Sequence, residues 1–189
     1  AGNRLSLTTL AGTTNYAYDD ANQLISVANP QTGTVAYTYD ALGLRTQLDL
    51  PNGITVDYGY DTLNRLTGIN QHKGSTVLAS YAYLLDPAGN RLSVTEADGS
   101  SVQWSYDDAY RLTGETRRNS SSTITSQTGF TYDPVGNRLT QTVDGATTNY
   151  TYNELDQLLT AGSTQYQYDG RGNLTQVTDG SNSMHYAYD

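Results

Sequence analysis

One short unit recurs along the whole chain and leaves few folds open: an aromatic residue, any residue, a Tyr, an acidic or amide residue, two variable residues, a Gly or Asn, then a Leu-containing strand. It stands as Tyr16-Ala17-Tyr18-Asp19, Tyr37-Thr38-Tyr39-Asp40, Tyr58-Gly59-Tyr60-Asp61 and Trp104-Ser105-Tyr106-Asp107. It returns as Phe130-Thr131-Tyr132-Asp133, Tyr150-Thr151-Tyr152-Asn153, Tyr166-Gln167-Tyr168-Asp169 and Tyr186-Ala187-Tyr188-Asp189. A ninth copy, Tyr81-Ala82-Tyr83-Leu84-Leu85-Asp86, carries two extra residues before its Asp. From one Asp (or Asn153) to the next the spacings are 21, 21, 25, 21, 26, 20, 16 and 20 residues. A period of this size is one supersecondary element that must stack on its neighbours to bury anything.

The unit predicts a β-hairpin. Aromatics two residues apart share a strand face, so successive repeats are expected to stack their pairs into ladders across a sheet. Asp86-Pro87-Ala88-Gly89 and Asp133-Pro134-Val135-Gly136 fit a type I turn, with Asp first, Pro second and Gly fourth. The return strands, such as Asn90-Arg91-Leu92-Ser93-Val94, alternate apolar and polar residues at period two. At the other end of several units, Asn52-Gly53, Asp98-Gly99, Asp144-Gly145 and Asp179-Gly180 suit a two-residue turn with positive φ at both positions. Gly43, Gly89, Gly136 and Gly172 close the Asp turn in alternate units; Asn22, Asn64, Tyr110 and Asp156 do so in the others, where the turn reads one residue shorter. The larger unit is then a pair of hairpins, about 42 residues, within the size range of stacked repeats. Residues 70–80 and the Ser-rich 115–129 are the longest departures and are expected to be longer hairpin ends.

Composition agrees and excludes much. The chain holds 17 Tyr against one Phe and one Trp, with 18 Gly, the makeup of half-buried strands and tight turns. The predicted class is all-β: about nine hairpin units over 1–189 in one segment, truncated at both ends. Isolated hairpins are marginal, and about 18 strands exceed what a flat sheet holds, so a curved or spiralling sheet, a partial shell, is expected. A net charge of −9 without any basic stripe argues against nucleic-acid binding. With no Cys there is neither a disulfide framework nor a thiolate metal site. No apolar run approaches the roughly 20 residues of a membrane-spanning helix.

The tandem Tyr-x-Tyr-Asp-x-x-Gly-Asn/Arg-x-Leu unit resembles the RHS/YD-repeat proteins: bacterial RHS polymorphic toxins, the C-component of insecticidal toxin complexes, and animal teneurins. The resemblance covers the whole chain. It implies a fragment of a hollow β-sheet cocoon, which in bacterial members encloses a C-terminal toxin and in teneurins forms part of an adhesion ectodomain. The bacterial Asp-Pro-x-Gly-Leu element near the self-cleavage site has no match, because Asn90 and Asn137 stand where Leu would. No protease residues are therefore carried over.

The acidic residues raise the question of paired carboxylates or Ca²⁺ sites, notably at Asp19-Asp20, Asp107-Asp108 and Glu96-Asp98. Turn chemistry already accounts for their positions, and no loop has EF-hand spacing. His72 and His185 are the only imidazoles, and neither sits in a catalytic or metal motif. The expectation is no enzyme, no metal and no cofactor. Arg45, Arg65, Arg91, Arg111 and Arg138 recur just after the turn, placed to pair with the turn Asp, to stack on Tyr, or to line a solvated edge. Asn119, Asn149 and Asn173 are formal glycosylation acceptors, silent in a bacterial protein. The function expected is a structural segment of a secreted bacterial shell whose partners are flanking repeats and an enclosed C-terminal toxin. The alternative is a cell-surface adhesion or carbohydrate-binding module, using Tyr rows or the 115–129 loop to take a glycan or receptor. Edge-to-edge self-association is a further option for an exposed last hairpin. A hydrolase acting on surface polymers through His72 or His185 is a weaker third.

Overall fold

The computed structural model describes residues 2–189 and contains eighteen strands, all in antiparallel pairings, and no helix among the described residues. The chain divides into two compact units, one ending at Ser101 and the other spanning Val102–Asp189. In the first run β1 (Ser6–Thr9), β2 (Gly12–Tyr18), β3 (Leu24–Asn29), β4 (Gly33–Tyr39), β5 (Arg45–Asp49), β6 (Thr55–Tyr60), β7 (Leu66–Lys73), β8 (Thr76–Leu85) and β9 (Arg91–Glu96). The second contains β10 (Ser101–Tyr106), which starts at the boundary, then β11 (Leu112–Arg118), β12 (Ile124–Tyr132), β13 (Arg138–Val143) and β14 (Ala146–Tyr152). β15 (Leu158–Ala161), β16 (Thr164–Tyr168), β17 (Leu174–Asp179) and β18 (Asn182–His185) complete it. Within each unit every strand pairs with the next in sequence, so each is a meander of hairpins.

The Asp turns have one build. The Asp19 N–H donates to the Gln23 carbonyl, the Asn22 N–H donates to the Asp19 carbonyl, and Asp19 Oδ1 accepts the N–H groups of Ala21 and Gln23 at 2.9 and 2.8 Å. The fourth residue lies at positive φ in every copy, whether Asn22 at 62° or Gly43 at 84°. The alternate units are therefore not one residue shorter: Asn64, Tyr110 and Asp156 occupy the same place as Gly89, Gly136 and Gly172. What alternates is conformation, since the non-Gly residues sit at 59–62° and the glycines at 84–107°, where a Cβ is disfavoured. Asn119-Ser120-Ser121-Ser122-Thr123 repeats the same turn without an aromatic pair before it, with Asn119 Oδ1 accepting from Ser121 and Thr123 and Ser122 at φ 63°. It caps the longer β11–β12 hairpin, and β7–β8 is the other long one, closing on Gly74-Ser75.

Of the four expected two-residue turns with both φ positive, only Asp144-Gly145 is built that way, at 50° and 89°. At Asn52-Gly53 and Asp98-Gly99 a type I turn precedes a single left-handed Gly, because the Gly53 and Gly99 N–H groups reach back to Leu50 and Glu96. Asp179 ends β17, and Gly180 at 58° takes the first turn position instead.

Only Val94 and Val102, each 6% exposed, are buried among the described residues. Within each unit the sheet has no second layer, and its order rests on backbone ladders, half-buried side chains and turn hydrogen bonds.

Candidate functional site

The paired aromatics put one face of each unit in aromatic character. Tyr16, Tyr18, Tyr37, Tyr39, Tyr58 and Tyr60 are half-buried while Ala17, Thr38 and Gly59 between them are exposed. Trp104, Tyr106, Phe130, Tyr132, Tyr150, Tyr152, Tyr166 and Tyr168 repeat the pattern around Ser105, Thr131, Thr151 and Gln167. The expected Tyr-on-Tyr ladders are corrected by the register. A return strand intervenes, and Tyr16, Tyr37, Tyr58 and Tyr166 face Val27, Leu48, Ile69 and Val177. In these four hairpins aromatic and β-branched or Leu side chains alternate across the face, whereas Phe130 faces Gln141 and Tyr150 faces Ala161.

In the irregular copy the extra residues lengthen β8, and Leu85 rather than Tyr83 takes the place just before the turn, opposite Arg91. Tyr83 thus fills the first aromatic place, and Tyr81 lies one step further out, 37% exposed. The last copy, Tyr186 to Asp189, lies beyond β18, although the Tyr186 N–H still donates to Thr175.

The second Tyr of the pair ties one hairpin to the preceding one. The hydroxyls of Tyr39, Tyr60, Tyr132 and Tyr152 donate to the carbonyls of Leu24, Arg45, Leu112 and Arg138 at 2.8–3.0 Å. The acceptor is always five residues after the preceding turn Asp, and at Leu24, Arg45 and Arg138 it sits beside a register shift in the ladder.

The arginines four residues after the turn Asp pair with its carboxylate, Arg111 also lying over the Tyr132 ring at 4.9 Å from the centroid, and those five residues after it lie over aromatic rings. Four residues after it, Arg65 and Arg111 donate from Nε to Asp61 and Asp107 Oδ2 at 2.7 Å. They also reach the next turn, bonding the carbonyls of Asp86 and Asp133 at 2.8 and 2.7 Å. Gln23 and Gln157 make the same reach to Gly43 and Gly172 at 3.4 Å. A Cβ on Gly43 or Gly172 would lie 2.9 or 3.1 Å from those amides, which gives these two glycines a second reason. These staples join turns in twos, and Asn137 adds a bond between pairs, donating to Asp156 Oδ1 at 2.8 Å. Five residues after the Asp, Arg45, Arg91 and Arg138 lie on the aromatic face, over Tyr58, Tyr83 and Tyr150 at 4.6, 4.4 and 4.3 Å from the ring centroids.

Six turn carboxyls are held below the usual range. Asp61 and Asp107 are lowered chiefly by the backbone N–H groups of Arg65 and Arg111. The side-chain amides of Asn90 and Asn173 lower Asp86 and Asp169, and Ser100 lowers Asp98. At Asp133 burial pushes upward, but hydrogen bonds from Asn137, Gly136 and Val135 outweigh it. These groups act as acceptors for the turn backbone.

His72 lies on the opposite, polar face, with Nε2 2.9 Å from Asp57 Oδ2 and Nδ1 2.9 Å from the Gly74 carbonyl. Gln47 donates to the other Asp57 oxygen at 3.1 Å. This polar cluster was not legible in sequence, since Gln47, Asp57 and His72 come from three strands and only register joins them. His185 has Ser183 Oγ at 3.3 Å. Among the described residues no hydroxyl nucleophile bonds to His72.

A meander of Asp-closed hairpins with one aromatic face defines a tandem-repeat β protein, and comparison with known proteins names the repeat. The model of the RHS repeat matches residues 18–55, 86–123 and 159–184, more than half of the chain. The chain belongs to the RHS-repeat family. No curated protein sequence matches it. Among solved structures, a TcdB2–TccC3–TEV crystal structure aligns with 99% of the chain at 22% identity and a TM-score of 0.67. The TcdB2–TccC3–Cdc42 crystal structure covers 95% at 22% identity and 0.66, and the Photorhabdus luminescens Tc holotoxin pore covers 95% at 21% and 0.64. These likenesses show the fold. The chain spans 12% of the length of each of those chains.

Proposed function

We propose that this chain is a non-enzymatic wall segment of a longer secreted or cell-surface bacterial RHS protein. In this role it encloses or presents a C-terminal toxin or other cargo. The single observation that carries the proposal is the uncovered aromatic face. Hairpin after hairpin sends its aromatic pair to one side, yet within each unit no second layer covers them. A face of that kind in a repeat stapled turn to turn suits a wall whose other side meets something else. The two units are parts of one run of about nine hairpin units, and flanking repeats continue it. That solved neighbours are Tc toxin assemblies, one described as a holotoxin pore, supports the toxin as cargo.

Limited proteolysis with intact-mass analysis of the complete natural protein tests this. The expected result is a C-terminal fragment that co-purifies with the shell and resists protease until the shell is denatured. An intact chain with no protected fragment would refute enclosure and leave adhesion through the same face.

A further inference from the structure

We infer that the aromatic face of each unit docks, by itself, a polypeptide segment bearing carboxylates, gripped through the η nitrogens of Arg45 in one unit and of Arg138 in the other. The inference rests on the shell function for the identity of the occupant.

The two arginines share one construction. Each follows a turn Asp by five residues, and each lies over the first aromatic of the following strand, Tyr58 or Tyr150. Each also gives its carbonyl to the second Tyr, Tyr60 or Tyr152. Arg138 has Phe130 on it as well, at 5.9 Å. Stacking fixes the guanidinium plane and leaves its in-plane donors directed outward.

Those donors are unspent. Among the described residues neither Arg45 nor Arg138 has a side-chain hydrogen bond or ion pair, whereas Arg65, Arg111 and Arg117 each hold a carboxylate at 2.7–2.8 Å. A chain with 19 acidic residues and a net charge of −9 has ample carboxylate, yet places none on these two. Their Nε atoms are buried without a partner, so an incoming group must approach end-on, at the η nitrogens. A planar fork presented end-on over a ring matches a carboxylate, which accepts two parallel N–H bonds. Apolar residues of the same occupant would cover the Tyr rings, and its acidic residues would meet the arginines. A neutral glycan would leave the charge unanswered.

The test is fluorescence anisotropy of a labelled poly-Glu peptide against a poly-Gln peptide of equal length, titrated with the 189-residue chain. Poly-Glu should bind at least tenfold more tightly than poly-Gln at about 0.15 M salt, where the long-range repulsion from the net charge of −9 is screened and the close arginine contacts are not. The Arg45→Gln/Arg138→Gln pair should weaken poly-Glu binding roughly tenfold, as loss of charge-assisted bonds predicts, while Arg171→Gln, at an exposed turn, leaves it unchanged. If the Gln pair fails to fold by circular dichroism, Arg45→Lys/Arg138→Lys keeps charge and stem but not the fork, and should still weaken binding about threefold. No preference for poly-Glu, or wild-type binding by the folded pair, overturns the inference. Protected cargo without that preference would sink this inference alone. The preference without protected cargo would sink the shell function and leave the two arginine sites standing.

Discussion

Removing the tyrosine hydroxyls that tie hairpin to hairpin should cost stability without touching the packing. In Tyr60→Phe and Tyr152→Phe the ring stays, and what goes is the bond to the half-buried Arg45 or Arg138 carbonyl, at 2.9 and 3.0 Å. A net hydrogen bond contributes about 0.5–1.5 kcal/mol, and a carbonyl left without its donor in a half-buried place can still reach water, so about 1 kcal/mol per site is expected. Tyr39→Phe and Tyr132→Phe remove equivalent bonds to Leu24 and Leu112. All four together should cost roughly 2–6 kcal/mol, a large part of the 5–15 kcal/mol that ordinarily holds a domain. Urea titration followed by far-UV circular dichroism measures it, fitted separately for each transition if the two units unfold apart. The slope with denaturant should stay unchanged because the same surface is exposed on unfolding. A quadruple variant within about 0.5 kcal/mol of the parent, below the expectation for even one such bond, would refute the view that these hydroxyls hold adjacent hairpins together.

Acid should loosen the turns. The folded Asp61, Asp86, Asp98, Asp107, Asp133 and Asp169 carboxyls titrate below their unfolded value near 3.8, so their stabilisation is fully present above that pH and is lost as pH falls through the folded values. The melting temperature should hold steady from pH 7 to 5 and drop below about pH 4; a flat profile to pH 3 would contradict it. Gly136→Ala, at φ 107° with open space around its would-be Cβ, isolates backbone strain and should cost about 1–2 kcal/mol in chemical denaturation. Replacing Val94, one of the two buried residues among those described, by Ala should cost roughly 1.5–3 kcal/mol. Leu63→Ala at an exposed turn tip should stay within about 0.5 kcal/mol, and equal losses at the two sites would mean the burial assignment is wrong.

The sequence by itself determined the hairpin. Aromatics two apart, an Asp able to cap its own turn and a residue tolerant of positive φ three further on are local requirements, so they are written locally, and Asp19 to Gly172 keep the same offsets in eight turns. Local chemistry also hides things when its usual neighbour is missing. Asn119 builds the same turn, but no aromatic pair announces it, and its signal was only an amide followed by small residues up to Ser122. Tertiary structure decided whatever depends on which strand lies beside which. Register placed Val27 and Ile69 between the tyrosine strands, gave Leu85 the place expected of Tyr83, and gathered Gln47, Asp57 and His72. It also separated arginines that look alike in sequence. One residue of offset sends Arg65 to the turn carboxylates and Arg45 over an aromatic ring, because a strand alternates its faces and pairing alone fixes which face meets what.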